Sequence, residues 1–256
     1  MAKYERQPKG IAAKDLKAAF AHAEAEYPNE CCGVFTRSSG YIRCTNVHDK
    51  PKTCFAIKEW VQVIANADDV IAVFHSHSDG SCYPSAVDME HQLSTSLCWG
   101  VAVLNKAGIV HDCFFWGSDS IPPLLGREYR SGAMDCYSLI RDAYKLWYDI
   151  SLKEFPRDRQ FWDAGKKLYT DGYKEAGFVE IPKEQLVPGD VLIGRVWGKG
   201  IVNHGGVVLD EQTILHHPSG TLSRRSDLTR WFKHLNICLR HKSFQGLPPR
   251  PPKLKL

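Results

Sequence analysis

The stretch that decides the architecture of this chain is Val70-Ile71-Ala72-Val73-Phe74-His75-Ser76-His77, followed after seven residues by Ser85 and then by Asp88. Residues 70–74 are apolar and mostly β-branched, which predicts a buried strand. In an extended chain, residues two apart face the same side, so His75 and His77 direct two imidazoles to one place just past the strand. Asp88 follows a loop that contains glycine and proline, at the start of a predicted helix. Two histidine nitrogens and one carboxylate oxygen, with a fourth position left for water, are the ligands of a catalytic zinc site.

Each of these residues also has an interpretation that needs no metal. A single histidine on a strand is more often an ordinary buried polar group than a ligand. Ser85-x-x-Asp88, just before residues 89–93, is also the sequence of a capping box, in which the serine side chain accepts a hydrogen bond from a first-turn amide. The whole spacing occurring as one unit favours the metal site. Cys82 is close enough in sequence to compete as a ligand, and the sequence leaves that open.

The same spacing resembles the motif of the JAMM (MPN-type) metallopeptidases, with no position missing. That family also takes a glutamate from an earlier segment, and the surroundings of Glu30 resemble it. The resemblance implies a Zn²⁺ ion bound by His75, His77 and Asp88. It further implies that Glu30 is the general base for the metal-bound water and that Ser85 steadies the oxyanion. Without the resemblance, Glu30 would be interpreted as a solvated charge that ends a helix.

Length and composition limit the class of protein. The 256 residues suit one large domain or two of ordinary size, and 43% hydrophobic with 24% charged residues are typical of a soluble globular protein. The net charge of +4 is small and scattered, so we expect no nucleic-acid partner. No apolar run approaches the roughly 20 residues that span a bilayer, and residues 1–6 lack the apolar core of a signal peptide. We therefore expect synthesis in the cytoplasm without stable membrane insertion.

The nine cysteines are an odd number without a Cys-x-x-Cys pair, so buried thiols in a reducing compartment are expected rather than a disulfide framework.

Apolar periodicity predicts an alternation of helices and strands in the first half of the chain. The predicted helices cover about residues 11–26 and 57–67 and the segment after Ser85. The predicted strands cover residues 32–35, 41–44, 70–74, 99–104 and 111–116. This alternation indicates a mixed α/β domain that ends near residue 118, where residues 117–123 are rich in turn formers and proline.

A second group of candidate residues follows this boundary. Leu139, Ile140, Ala143, Leu146 and Trp147 form an apolar helical stripe, with Cys136 at its N-terminal end. Cys136 is either the first packed residue of that stripe or a thiol whose thiolate form is favoured by the helix dipole. Backbone amides at the same helix end could form an oxyanion hole. The helix by itself does not choose between these interpretations.

Two predicted strands downstream carry histidines. His204 opens an apolar strand, and the next strand ends with His216 and His217. In a hairpin of this size His204 and His216 can lie near one another. A cysteine nucleophile, a histidine base and a third group that orients the base form the triad of papain-like enzymes. Alternation along the strand sends only one of His216 and His217 toward His204.

These residues resemble the NlpC-type cysteine peptidases, whose pattern is Asp-Cys at a helix start, Pro-Gly-Asp before a strand, His-x-Gly, and a histidine about a dozen residues later. The resemblance implies that Cys136 is the nucleophile, that His204 is the general base and that His216 orients it. His217 leaves the third role uncertain by one position. Tyr129 corresponds to a tyrosine common near the nucleophile in that family.

We therefore predict an α+β, mixed α/β chain of two domains: a three-layer JAMM-type domain with a mixed sheet, then a small papain-like NlpC-type α+β domain. The predicted segments are residues 1–118 for the first domain, 119–131 for a linker, 132–242 for the second domain and 243–256 for a flexible tail rich in proline and lysine.

The order of the two domains resembles that of the tail tip assembly proteins of lambda-like phages, the tail protein K type. The resemblance implies a phage tail tip protein with a zinc-dependent peptidase site and a cysteine endopeptidase site. It implies cleavage of peptidoglycan peptides during infection, other tail tip proteins as partners, synthesis in the host cytoplasm and incorporation at the virion tail tip. One alternative is a structural tail component whose two sites are dispensable. Another is a host isopeptidase of the deubiquitinase-like kind, against which the second domain argues.

Overall fold

A computed structural model describes residues 6–118, 120–157, 165, 167–196, 200–235 and 237–244. The chain divides into two compact units, Met1–Pro122 and Pro123–Leu256. Each unit has one sheet with its own helices, and the predicted two-domain fold class is confirmed. No helix within the described ranges is both long and apolar enough to cross a membrane.

The first unit is built on a mixed five-stranded sheet. Its strands are β1 (Cys32–Thr36), β2 (Gly40–Cys44), β3 (Val70–His77), β4 (Cys98–Leu104) and β5 (Val110–Trp116). Their order is β2-β1-β3-β4-β5, and only the β3–β4 pair among these strands is parallel. Its helices are α1 (Ala13–Glu26), α2 (Trp60–Ala65) and α3 (Ala86–Thr95), with a 3₁₀ turn at Ala67–Asp69.

Strand β3 is buried along its whole length, as expected of a central strand that is covered on both faces. Phe74 packs with Phe35 and Phe115 into the core beneath α1. Because side chains alternate along a strand, His75 and His77 point to the opposite face. The strand runs through both histidines rather than ending before them, since β4 continues to pair with it as far as His77.

Helix α2 is shorter than the predicted helix at residues 57–67. The backbone of Ile57 forms an isolated bridge with Asn46, and Lys58 donates its amide to the carbonyl of Thr45. These bonds tie the start of the predicted helix to residues 45 and 46, and the helix begins only at Trp60.

The second unit is built on a six-stranded antiparallel sheet. Its strands are β6 (Phe178–Glu180), β7 (Val191–Gly194), β8 (His204–Val208), β9 (Thr213–His216), β10 (Arg224–Asp227) and β11 (Ile237–His241), in the order β10-β9-β8-β7-β11-β6. Its helices are α4 (Cys136–Tyr148), α5 (Leu168–Gly172) and α6 (Leu228–Trp231), with 3₁₀ turns at Lys183–Gln185 and Lys242–Phe244.

Helix α4 packs its apolar face on this sheet. Leu139, Ile140 and Ala143 of the predicted stripe are buried there, together with Tyr144, whose hydroxyl donates to the carbonyl of Gly189 at 2.8 Å. The predicted stripe is wrong at Leu146, which is 54% exposed. Tyr144 fills that part of the core because its ring lies against the sheet while its hydroxyl finds a backbone acceptor.

The predicted segment limits remain predictions. The chain divides between Pro122 and Pro123, within the segment predicted as a linker. Arg127, in the same segment, donates to Asp142 and to the carbonyl of Pro123, and its amide donates to Ser223 in the second unit. In the predicted tail, residues 245–256 lie outside the described residues.

Candidate active sites

The three predicted metal ligands converge on one point. His75 Nε2 lies 3.1 Å from His77 Nε2 and 3.5 Å from Asp88 Oδ1, and His77 Nε2 lies 3.5 Å from Asp88 Oδ2. Around a tetrahedral zinc ion with bonds of about 2.0–2.2 Å, ligand atoms lie about 3.3–3.6 Å apart. The observed spacing therefore fits a small tetrahedral cation. Among the described residues, no other group of histidines, cysteines and carboxylates is arranged in this way, and Cys82 is not part of the cluster.

Neighbouring groups orient two of these ligands. His77 Nδ1 lies 2.8 Å from the carbonyl oxygen of Ser81, which can only accept, so the ring carries its proton on Nδ1 and turns the Nε2 lone pair toward the cluster. Asp88 Oδ2 accepts hydrogen bonds from the amide and the hydroxyl of Ser85, at 2.8 and 2.7 Å. The Ser85 hydroxyl in turn accepts from the Asp88 amide, so the capping box forms. The capping box and a metal ligand coexist because Oδ1 remains available.

The surroundings favour the metal-binding protonation state of His75 and Asp88, whereas the hydrogen bond and charge of Asp88 outweigh burial and raise the pKa of His77. Burial lowers the pKa of His75, whose ring is stacked on Phe55 with 4.4 Å between centroids. Burial of Asp88 favours its neutral acid, but the charges and hydrogen bonds of His75 and His77 outweigh burial and hold the pKa of that carboxyl well below its usual range. A neutral imidazole and an ionised carboxylate are the forms that coordinate metals.

Glu30 lies beside this cluster and is not a solvated charge. It is only 6% exposed, and its backbone is fixed by bonds to the carbonyl of Pro51 and from the side chain of Asn46. With His77 and Asp88 it lines one cavity of about 420 Å³. Burial raises the pKa of Glu30 to about 8, against the opposing influence of His77. A carboxyl group tuned close to neutrality is suited to exchange protons.

In the second unit, Cys136 stands at the first position of α4. The N-cap residue Asp135 accepts hydrogen bonds from the amides of Gly132 and Ser138, which fixes the start of the helix. The Cys136 thiol is 5% exposed and lies against the backbone amide of Gly205, the residue after His204. Burial raises the pKa of this thiol to about 11, and the Asp135 carboxylate adds to the effect.

His204 and His216 meet across the β8–β9 pair, as predicted. His204 Nε2 lies 3.0 Å from His216 Nδ1, and His216 Nε2 lies 2.8 Å from the Ser226 hydroxyl. When His204 donates from Nε2, His216 accepts at Nδ1 and carries its own proton on Nε2, which it donates to Ser226. This arrangement leaves Nδ1 of His204 as the nitrogen that can take a proton from another group.

His217 belongs to a different environment. It is fully buried, and its ring contacts that of Tyr129 edge-on with 5.2 Å between centroids. The hydrogen-bond partner of His204 is thus His216, the residue predicted to orient the base.

Sequence reasoning missed several residues of the second site. Arg157 is 3% exposed, and its guanidinium donates to both carboxylate oxygens of Asp135, at 2.6 and 2.9 Å. Tyr169 places its hydroxyl 2.9 Å from Cys136 Sγ. Arg157, Tyr169 and Ser226 lie on separate segments of the chain, so no sequence spacing predicts that they contact the second site. For Asp135, the Asp-Cys pair at the helix start was the sequence feature that could have predicted its role as the N-cap of α4.

Removal of Arg157 is expected to destabilise the second unit. Arg157→Met leaves a buried carboxylate without its cation, which costs about 3 kcal/mol of unfolding free energy. The exposed Lys153–Glu175 pair provides the control, because Lys153→Met should cost less than about 1 kcal/mol. Urea unfolding followed by far-UV circular dichroism measures both; equal effects would contradict a special role for Arg157.

Two family profiles match the two units. The profile described as prokaryotic homologs of the JAB domain matches residues 12–116, and that of the NlpC/P60 family matches residues 114–240. Tail tip assembly protein K of Escherichia phage lambda is 30% identical over 190 residues, which cover 74% of this chain and 90% of that protein. The protein of the same name from Escherichia phage N15 is 30% identical over 245 residues, covering 91% and 96%.

The chain belongs to the tail tip assembly protein K family. Over a shorter stretch, the chain is also similar to a peptidase. A CysO-cysteine peptidase of Mycobacterium tuberculosis (strain ATCC 25618 / H37Rv) is 30% identical over 92 residues, which cover 31% of this chain and 62% of that protein. The predicted family and the order of its two domains are thereby confirmed.

Proposed function

We propose that this tail protein K family member is a hydrolase with two peptidase sites, and that the second unit cleaves peptide bonds of peptidoglycan during infection. The observation that carries the proposal is the chain of contacts from His204 through His216 to Ser226, on the strand whose Gly205 amide meets the Cys136 sulfur. These contacts support the proposal, because a thiol, a base and a group that orients the base are the parts of a cysteine peptidase site.

The proposed reaction uses these groups in order. His204 takes the thiol proton at Nδ1, while Sγ of Cys136 bonds to the peptide carbonyl carbon. His204 then returns the proton to the departing amine as the C–N bond breaks. Water hydrolyses the resulting thioester and restores the thiol. Backbone amides at the start of α4 stabilise the oxyanion.

For the first unit we propose a zinc-dependent peptidase site held by His75, His77 and Asp88. When bound, zinc acidifies a water molecule and polarises a substrate carbonyl. Glu30, which lines the same cavity as His77 and Asp88, accepts a proton at its carboxylate and passes it to the leaving amine. Ser85 orients Asp88 by two hydrogen bonds. It is also our candidate for steadying the oxyanion, for which its hydroxyl turns from Asp88 toward the substrate.

The relatives named as tail tip assembly proteins support a place for this chain among other tail tip proteins. We propose that it is made in the host cytoplasm and carried to the cell wall at the tail tip. Mass spectrometry of mature virions should detect peptides from both units, whereas their absence would contradict incorporation.

Digestion of isolated peptidoglycan by purified full-length protein tests the proposed activity. We expect release of stem-peptide fragments, detected by liquid chromatography and mass spectrometry. Intact peptidoglycan after prolonged incubation would contradict it.

Loss of the Ser226 hydroxyl is expected to slow this reaction. In Ser226→Ala, Nε2 of His216 loses its acceptor, and a hydrogen bond worth about 1.4 kcal/mol corresponds to roughly tenfold in rate. The rate of fragment release measures the effect. Ser226→Thr keeps a hydroxyl at the same place in β10 and should restore most of the rate. Equal rates for wild type and Ser226→Ala would contradict a positioning role.

A further inference from the structure

The sulfur of Cys136 is contacted by a group from a third element of the second unit. The hydroxyl of Tyr169, on α5, lies 2.9 Å from Sγ. The Gly205 amide approaches the same sulfur from β8. Cys136 itself is on α4, so three separate elements meet at one atom.

Such contacts matter because the environment of the thiol opposes ionisation. Burial raises the pKa of Cys136 to about 11, and the nearby Asp135 carboxylate acts in the same direction. Burial also holds the pKa of His204 well below its ordinary value. Transfer of a proton from sulfur to His204 creates two buried charges, and hydrogen-bond donors aimed at the sulfur lower that cost.

The ring of Tyr169 is held in place. It contacts the ring of Tyr137 edge-on, with 6.2 Å between centroids. Three residues later, Gly172 packs so closely on Phe155 that an added Cβ would lie 3.2 Å from that ring. The position of α5, and with it that of the hydroxyl, is therefore set by packing rather than by the bond to sulfur.

We infer that Tyr169 is a positioning residue of the second site, whose hydroxyl donates to Sγ of Cys136 and stabilises the sulfur as its proton leaves for His204. The inference rests on the proposed role of Cys136 as nucleophile. It adds a hydrogen-bond donor from outside the Cys136–His204–His216 arrangement.

Alkylation of Cys136 by iodoacetamide over a range of pH tests the inference without any substrate. The thiolate sulfur bonds to the reagent carbon and iodide leaves, so the rate follows the thiolate fraction. Trypsin releases residues 131–141, a peptide that contains Cys136 and no other cysteine, and mass spectrometry of it gives the rate. In Tyr169→Phe we expect alkylation at pH 8 to fall at least threefold and the inflection to move to higher pH.

Tyr137→Phe is the matched control, because the Tyr137 hydroxyl donates to the carbonyl of Lys153 and not to the sulfur. Its profile should equal that of wild type. If Tyr169→Phe does not fold cooperatively, 3,5-difluorotyrosine at position 169 keeps the ring and makes a stronger donor. That replacement should move the inflection to lower pH.

A Tyr169→Phe alkylation profile equal to that of wild type would overturn the inference. Faster alkylation of Tyr169→Phe at every pH would also overturn it, because the hydroxyl would then only shield the sulfur from the reagent. Failure of the proposed peptidase function is distinguishable, since wild-type protein would then leave peptidoglycan intact, or Cys136→Ala would cleave it as fast as wild type, whatever the alkylation profile.

Discussion

Cys136→Ala is expected to reduce release of stem peptides from peptidoglycan at least about a thousandfold. Removal of a catalytic nucleophile leaves only binding and polarisation of the substrate, which contribute a small part of the total acceleration. The substitution removes one sulfur atom from the start of α4, and the bonds of Asp135 that cap this helix do not involve it. The measurement compares initial rates of fragment release by the two full-length proteins.

Cys238→Ala is the matched control for this experiment. Cys238 is 4% exposed and lies in the second unit, but it packs in a separate core cluster with Leu192 and Leu235. Its loss should leave the rate within about twofold of wild type. Equal rates for wild type and Cys136→Ala would refute the assignment of Cys136 as the nucleophile. Residual cleavage by Cys136→Ala that a chelator abolishes would instead assign the activity to the first unit.

The same variant separates the enzyme from the structural alternative. Virions assembled with Cys136→Ala should be impaired in crossing the cell wall. If they infect as efficiently as wild type, the second site is dispensable and the chain acts in the tail as a structural component.

Loss of one histidine of the first site should abolish metal binding. We expect about one zinc ion per chain in wild type and less than about a tenth of that in His75→Ala, because two protein ligands do not complete a tetrahedral site. Inductively coupled plasma mass spectrometry of dialysed protein measures the content. A chelator should lower the melting temperature of wild type and leave that of His75→Ala unchanged, since a ligand bound only by the folded state stabilises it.

His91→Ala provides the control for the metal measurement. His91 lines the same cavity as His77 and Asp88 but is not one of the clustered ligands. This variant should keep its zinc. Wild-type protein that carries no metal after purification in zinc-containing buffer would refute the site, as would His75→Ala protein that carries as much metal as wild type.

Local periodicity in the sequence was sufficient to predict which residues lie together when both are on one strand or in one helical turn. His75 and His77 share a face because side chains alternate in β3, and Ser85 and Asp88 are joined by the first turn of α3. The sequence could not show that Asp88 reaches the two imidazoles, because that contact depends on how α3 packs across the sheet.

Contacts between residues that are distant in the sequence could not be predicted from any local sequence pattern. Arg157 lies 22 residues after Asp135, and Tyr169 lies 33 residues after Cys136. The choice between His216 and His217 was also non-local, because it depends on the register that pairs Gly206 with His216. Alternation showed that one of the two would face His204, and only the hairpin geometry shows which.

The carboxylate of Asp88 closes the first turn of α3 with Oδ2 and directs Oδ1 toward His75. The helix start therefore holds the ligand still before any ion arrives. Little side-chain entropy is left to lose on binding, so the selectivity of the site for ions follows from a rigid opening of set size. An ion too large for that opening, such as Ca²⁺, would have to displace Asp88 from its hydrogen bonds with Ser85.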